Sequence, residues 1–167
     1  MNSKRFKSKR GMTLIELLST VAVVGIIAAM AVPRFQIAYE RITFRAANRD
    51  ITSKIRLARS YAVSTKEQHG LYINPVNLSY TLFKDVVNTP AMQYDDGDSV
   101  ITVDTLPYGF TLLTTDVPSS SIVFRSNGST AGTYNIVSMC SSVDLVGIHQ
   151  HTILAATGRI ETLSAYY

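Results

Sequence analysis

From Met12 to Pro33 the chain carries 22 residues in which Glu16 is the single charged side chain. As a helix this run would span roughly 30 Å at about 1.5 Å per residue, the thickness of a bilayer's hydrocarbon core. The apolar pattern continues beyond it. Phe35, Ala38, Tyr39 and Ile42 follow at steps of three and four, and Phe44, Ala47, Ile51, Ile55, Ala58 and Ala62 continue on a second line of the same kind. The spacing predicts one helix from Met12 to about Lys66, ending before His69-Gly70. Such a helix would be roughly 80 Å long, far more than a bilayer needs, so its outer half must lie against a domain. Pro33 removes an intrahelical hydrogen bond and Gly25 lowers helix propensity, so a kink or loosening is expected near the membrane exit.

After Gly70 the period changes from helical to strand-like. "GLYIN", "LSYTLFKDVV", "SVITVDT", "GFTLLT", "SIVFRS", "TYNIVSM", "HTILAAT" and "RIETL" read as strands. Asn74-Pro75, Asp96-Gly97, Asn127-Gly128 and Thr157-Gly158 read as turns between or beside them. Segments of this length, following a single long helix, predict an α+β fold: an antiparallel β-sheet domain with one face on the helix's outer half. The expected division is residues 1–11 as a leader, 12–33 as the membrane half of the helix, 34–67 as its outer half and 68–167 as the β-rich domain.

Composition changes this picture in two respects. The chain holds 16 Lys+Arg against 12 Asp+Glu, for a net charge of +4. Lys4, Arg5, Lys7, Lys9 and Arg10 all precede Gly11, and without them the balance is −1, so overall charge gives no argument for polyanion binding. The leading cations do orient the apolar segment, with the N-terminus cytoplasmic and the bulk of the chain outside. The lone cysteine, Cys140, excludes an intramolecular disulfide and reads as a small packing residue.

The first segment admits three readings. A secretory signal peptide cut after Ala29-Met30-Ala31 would release a soluble protein, but Glu16 at its start and the helical pattern past Val32 oppose this. A plain one-pass anchor would let Glu16 snorkel, helped by about 0.3–1 kcal/mol from the helix dipole. The third reading comes from the residues themselves. "KRGMTLIELLSTVAVVGIIAAMAVPRF" resembles the class III leader and N-terminal helix of type IV pilins and pseudopilins.

That resemblance implies cleavage by a prepilin peptidase after Gly11, N-methylation of Met12 and retention of the apolar helix as the anchor. It also places the family's glutamate on Glu16, with an assembly role, and gives Gly25 and Pro33 a role where the helix can partly melt in a filament. Met12 departs from the phenylalanine most common at the first position. Within the family, "ITSKIRLARSYAVSTKEQHGLYI", "SIVFRSNGST" and "HTILAATGRIETL" resemble the GspH/FimT branch, through Ala58-Arg59-Ser60, the Asn127-Gly128 turn and Gly158-Arg159. The resemblance implies other pilins or pseudopilins as partners through a helix bundle, an inner-membrane location with a periplasmic domain, no cofactor and no enzymatic activity.

Nucleic acid requires separate weighing. Some members of the branch bind DNA through a Gly-Arg-x-Arg element, whereas this chain reads Gly158-Arg159-Ile160-Glu161, and the acid at 161 removes a phosphate contact. Arg41, Arg45, Arg49, Arg56 and Arg59 form a basic stripe on the helix, read first as a solvated face and second, with Arg159, as a polyanion surface. "DDGD", with Asp95, Asp96 and Asp98, reads as a turn in preference to a calcium loop, because the spacing and terminal glutamate of an EF-hand are missing. His149 and His151 share one side of a strand without a third ligand and read as surface residues.

Overall fold

The computed structural model describes residues 12–107, 109–142, 145–154 and 157–166; for some of these, Pro33, Cys140, His149 and His151 among them, only the backbone is described. The leader, Gly11 included, lies outside the described residues. The first element, α1, spans Leu14–Thr65, with Gly25 and Pro33 inside it. The chain divides into two compact units between Ala38 and Tyr39. In the first unit, Leu14–Val32 has a mean hydropathy of 2.3 and none of it is buried, so this stretch is long and apolar enough to cross a membrane.

The second unit begins with the rest of α1 and adds eight strands: β1 (His69–Asn74), β2 (Ser79–Lys84), β3 (Ser99–Thr105), β4 (Phe110–Thr115), β5 (Ser121–Phe124), β6 (Tyr134–Ser142), β7 (Leu145–Leu154) and β8 (Arg159–Tyr166). They form two four-stranded sheets, in the orders β3-β2-β1-β5 and β4-β6-β7-β8, with all neighbours antiparallel. The architecture is α+β, and the expected sheet assembly resolves into two sheets. One apolar cluster joins them to the helix. Phe44, Ala47, Ile51, Ile55, Ala58 and Ala62 of α1 are buried with Leu71, Ile73, Leu82, Ile122 and Phe124 of the first sheet and Phe110, Leu113 and Ile136 of the second. Each fully buried isoleucine or phenylalanine contributes about 1.5–3 kcal/mol relative to exposure. The Phe44 and Phe110 rings stack at 5.8 Å between centroids.

Polar ties fix the helix on the first sheet. The Lys54 ammonium lies 2.7 Å from Asp104 Oδ2 on β3, and the Tyr80 hydroxyl of β2 donates to Asp50 Oδ2. Burial raises the Tyr80 phenol, and the Asp50 hydrogen bond and charge raise it further, so it stays protonated as the donor.

The helix begins at Leu14, two residues after the expected Met12, and ends close to the expected Lys66. α1 stops at Thr65, where the Ser64 and Thr65 hydroxyls donate to Tyr61 O at 3.2 and 2.8 Å and Lys66 adopts a left-handed conformation with φ of 63°. β1 takes in His69 as well as the Gly70–Asn74 run read as strand. Gly70 is required there by crowding: a Cβ on it would stand 2.6 Å from Ile122 O and 2.7 Å from the Phe83 ring. β7 also begins six residues before the apolar run His151–Leu154 that suggested it, because Leu145–Gln150 pair residue by residue with β6.

Gly70→Ala is therefore expected to destabilise the folded domain by about 1–3 kcal/mol without altering its secondary structure. Chemical denaturation of the full chain in detergent, followed by circular dichroism, checks this.

Candidate functional site

The start of α1 is closed by its own side chains. Thr13 precedes the first helical residue, and its Oγ1 accepts a hydrogen bond from the Glu16 backbone N–H at 3.3 Å. Thr13-Leu14-Ile15-Glu16 is thus a capping arrangement in which the acid occupies the third helical position, where the helix dipole favours it. The S/T-x-x-E signature was present in the sequence, and it assigns Thr13 a role that hydrophobic patterning alone does not reveal. Met12 and Glu16 are both exposed.

The second unit brings together three segments distant in sequence. Arg59, in the last turns of α1, donates through Nε to Gly128 O at 3.1 Å and through Nη2 to Thr157 O at 2.7 Å. One guanidinium thereby holds the helix end to the β5–β6 turn and to the β7–β8 turn. The two turns touch through glycines in positive-φ conformations: Gly128 at 80° and Gly158 at 59°. A Cβ on Gly158 would meet Gly128 O at 2.1 Å. Ala58-Arg59-Ser60, Asn127-Gly128 and Gly158-Arg159, read separately from the sequence, are therefore one assembly.

Beside it lies an open groove of about 790 Å³, lined by Arg56, Arg59, Ser60, Val63 and Ser64 of the helix and by Thr157, Gly158, Arg159 and Ile160. A second groove of about 330 Å³ continues along the helix past Asn48, Arg49, Thr52, Ser53 and Arg56 to Thr162 on β8. Of the basic stripe, Arg56 and Arg59 thus join Arg159, and Arg49 joins Arg56. Arg41 and Arg45 line neither groove, and both are exposed. Arg159 Nε lies 3.4 Å from Glu161 Oε1, an exposed and weak pair.

The Asp95–Asp98 segment is a turn closed by its own carboxylate. Buried Asp98 accepts hydrogen bonds from the Val86, Val87 and Asp95 N–H groups, each at 2.9 Å, and Gly97 supplies a φ of 106°. Among the described residues, no group of three or more His, Cys, Asp or Glu is placed to hold a metal ion. Asp85 lies 3 % exposed, with Oδ1 lacking a hydrogen-bond partner. Burial, followed by the charges of Asp98 and Asp95, pushes its carboxyl up to about 6. Gln68, with its amide turned to donate, reaches Asp85 Oδ2 at 3.2 Å.

Apolar helix, capped start and two-sheet domain together define a chain of the pilin type, and comparison with known proteins agrees. Residues 6–32 match the prokaryotic N-terminal methylation motif, and residues 47–154 match the type II transport protein GspH family. The chain belongs to that GspH family. Among curated proteins it is similar to the type IV major pilin protein PilA of Myxococcus xanthus, 33 % identical over 85 residues that span 47 % of this chain and 36 % of the relative. In fold it is similar to the minor pseudopilin EpsH of the Vibrio cholerae type 2 secretion system, with a TM-score of 0.55 and 14 % identity, covering 72 % of this chain and 95 % of EpsH. It is likewise similar to the type IV minor pilin FimU of Pseudomonas aeruginosa, with a TM-score of 0.57 and 16 % identity, covering 74 % of this chain and 90 % of FimU.

Arg59→Ala removes both carbonyl contacts and is expected to cost about 1–3 kcal/mol in chemical denaturation, with Arg59→Lys recovering only part because one ammonium cannot serve both turns in the same geometry. The Asp85 prediction concerns pH. Its folded value of about 6 lies above the ordinary 3.8, so the folded state binds the extra proton and ionisation of Asp85 costs stability as pH rises from about 4 through about 6. Asp85→Asn should therefore melt higher than the parent at pH 7.5, by the equivalent of about 1–2 kcal/mol, and the gap should close at pH 4. Thermal melts of both proteins across that range measure it.

Proposed function

We propose that this chain is a non-enzymatic structural subunit, a minor pseudopilin or pilin incorporated near the tip of a type II secretion pseudopilus or type IV pilus. Prepilin peptidase cleaves after Gly11 and the new N-terminus at Met12 is methylated. Residues 12–33 hold the subunit in the inner membrane with its N-terminus cytoplasmic and its C-terminal domain periplasmic. A cytoplasmic ATPase encoded elsewhere drives extraction into the filament, where the apolar helices of neighbouring subunits replace lipid. Glu16 sets register against an N-terminal ammonium that exists only after processing, and Gly25 and Pro33 let the helix loosen on packing.

The observation that carries this reading is the methylation motif over residues 6–32, which takes in an apolar helical stretch with no buried residue in its 19-residue span. An apolar surface of that extent requires either lipid or other helices. A second reading, a DNA-capturing pilin for uptake, draws on the meeting of Arg56, Arg59 and Arg159 in one groove. Against it, Arg59 is committed to two carbonyls and Glu161 accompanies Arg159. Titration of the full chain in detergent with DNA at low and rising salt separates the two, since phosphate contacts give a steep salt slope.

In a host that carries prepilin peptidase, intact-mass and N-terminal analysis should find a mature chain starting at methylated Met12. A start at Val32 would end the pilin reading. Gly11→Leu should leave a longer, unassembled precursor. Glu16→Val, which deletes the only charge in the span, should reach the membrane fraction as well as the parent yet be depleted from sheared filaments; equal incorporation would overturn the role given to Glu16.

A further inference from the structure

The groove between α1 and β8 has the features of a peptide site. β8 is the last strand of its sheet, paired with β7 through residues Arg159–Tyr166, and no strand lies on its other edge among the described residues. An open strand edge offers a row of N–H and C=O groups with the spacing a second extended chain needs. Beside that edge the helix presents Arg49 and Arg56, exposed and without a hydrogen bond or ion pair among the described residues. Arg159 adds a third exposed guanidinium, with a weak contact to Glu161. Val63 and Ile160 supply apolar lining, Ser60 adds a hydroxyl, and among the described residues no carboxylate lines either groove.

We infer that this groove binds an extended acidic segment of a partner protein, which adds along the open edge of β8 and sets its carboxylates against Arg56 and Arg159. A strand in that position turns alternate side chains toward the helix, so the recognised segment carries acids at every second residue. Guanidinium and carboxylate pair in a two-pronged geometry, which gives the contact direction as well as attraction. The apolar lining and the strand edge suit a peptide backbone better than a nucleic acid. A phosphate track along β8 would run past Glu161, two residues beyond Arg159, whereas a peptide can place a neutral residue there. This inference does not depend on processing at Gly11, so it can fail while the assembly reading stands.

The test uses the full chain in uncharged detergent micelles, with fluorescence anisotropy at low salt. The probe is a labelled peptide of about eight residues alternating glutamate and threonine, beside the same peptide with glutamine for glutamate. Saturable binding of the glutamate peptide is expected, at least about tenfold tighter than the glutamine one. The Arg56→Glu, Arg159→Glu double variant should lose it with an unchanged melting temperature, since both side chains are exposed. Glu161→Gln, which frees Arg159, should tighten it. N-methylation of alternate peptide amides should abolish it by blocking strand pairing. No saturable binding of the glutamate peptide, equal binding of both peptides, or indifference to the double variant overturns the inference. Tighter binding of a single-stranded DNA of about 20 nucleotides, lost in the double variant, would reassign the groove to nucleic acid.

Discussion

A narrow stripe of mixed large and small side chains on α1 is the constraint from which the domain follows. Phe44, Ile51 and Ile55 fill volume, while Ala47, Ala58 and Ala62 are buried with no bulk to displace their neighbours. Two sheets can close on one helix only if that helix is thin where both approach it. The alanines provide the thinness, and the large residues supply most of the apolar area that offsets the entropy of ordering eight strands. Beyond the stripe, specific polar contacts fix direction. Lys54 and Asp50 hold the first sheet from one side of the helix, and Arg59 holds the two far turns from another.

Much of this was legible in the chain because the two periods are so distinct. The stripe from Phe44 to Ala62 reads directly as a helical face, and each of the eight strands coincides with an apolar or β-branched run. Legibility fails where a residue serves a distant neighbour. Gly70 looked like punctuation after the helix, yet its lack of a side chain answers to Phe83 and Ile122, 13 and 52 positions away. Leu145, Val146 and Ile148 at the start of β7 are apolar but interrupted by Gly147, and their pairing with β6 is what joins them to the strand. No local pattern signals that eight strands divide into two sheets, because the division is a matter of long-range partners.

The candidate sites follow the same division. The N-terminal elements are local, so Gly11, Met12 and Glu16 stand out as a motif, and Thr13 would have done so through its spacing to Glu16. The basic stripe is also local, but its meaning is not. Arg59 sits in it by position and differs from Arg56 only in what the β5–β6 and β7–β8 turns bring to it. Three weak sequence likenesses around positions 59, 128 and 158 are accounted for by one packing event, in which glycines with left-handed backbone leave carbonyls free to face a single guanidinium. "DDGD" becomes intelligible the same way, since both oxygens of Asp98 accept from backbone amides.

The closure of the helix start by Thr13 bears on the cleavage proposed after Gly11. The hydroxyl that receives the Glu16 amide lies downstream of the bond between Gly11 and Met12. Hydrolysis there would exchange a basic tail for a compact ammonium while leaving the first helical turn as it was. Precursor and product would then differ only ahead of the helix, so a machine that discriminates them has to sense charge and bulk there, because the helix boundary itself carries no record of the cut.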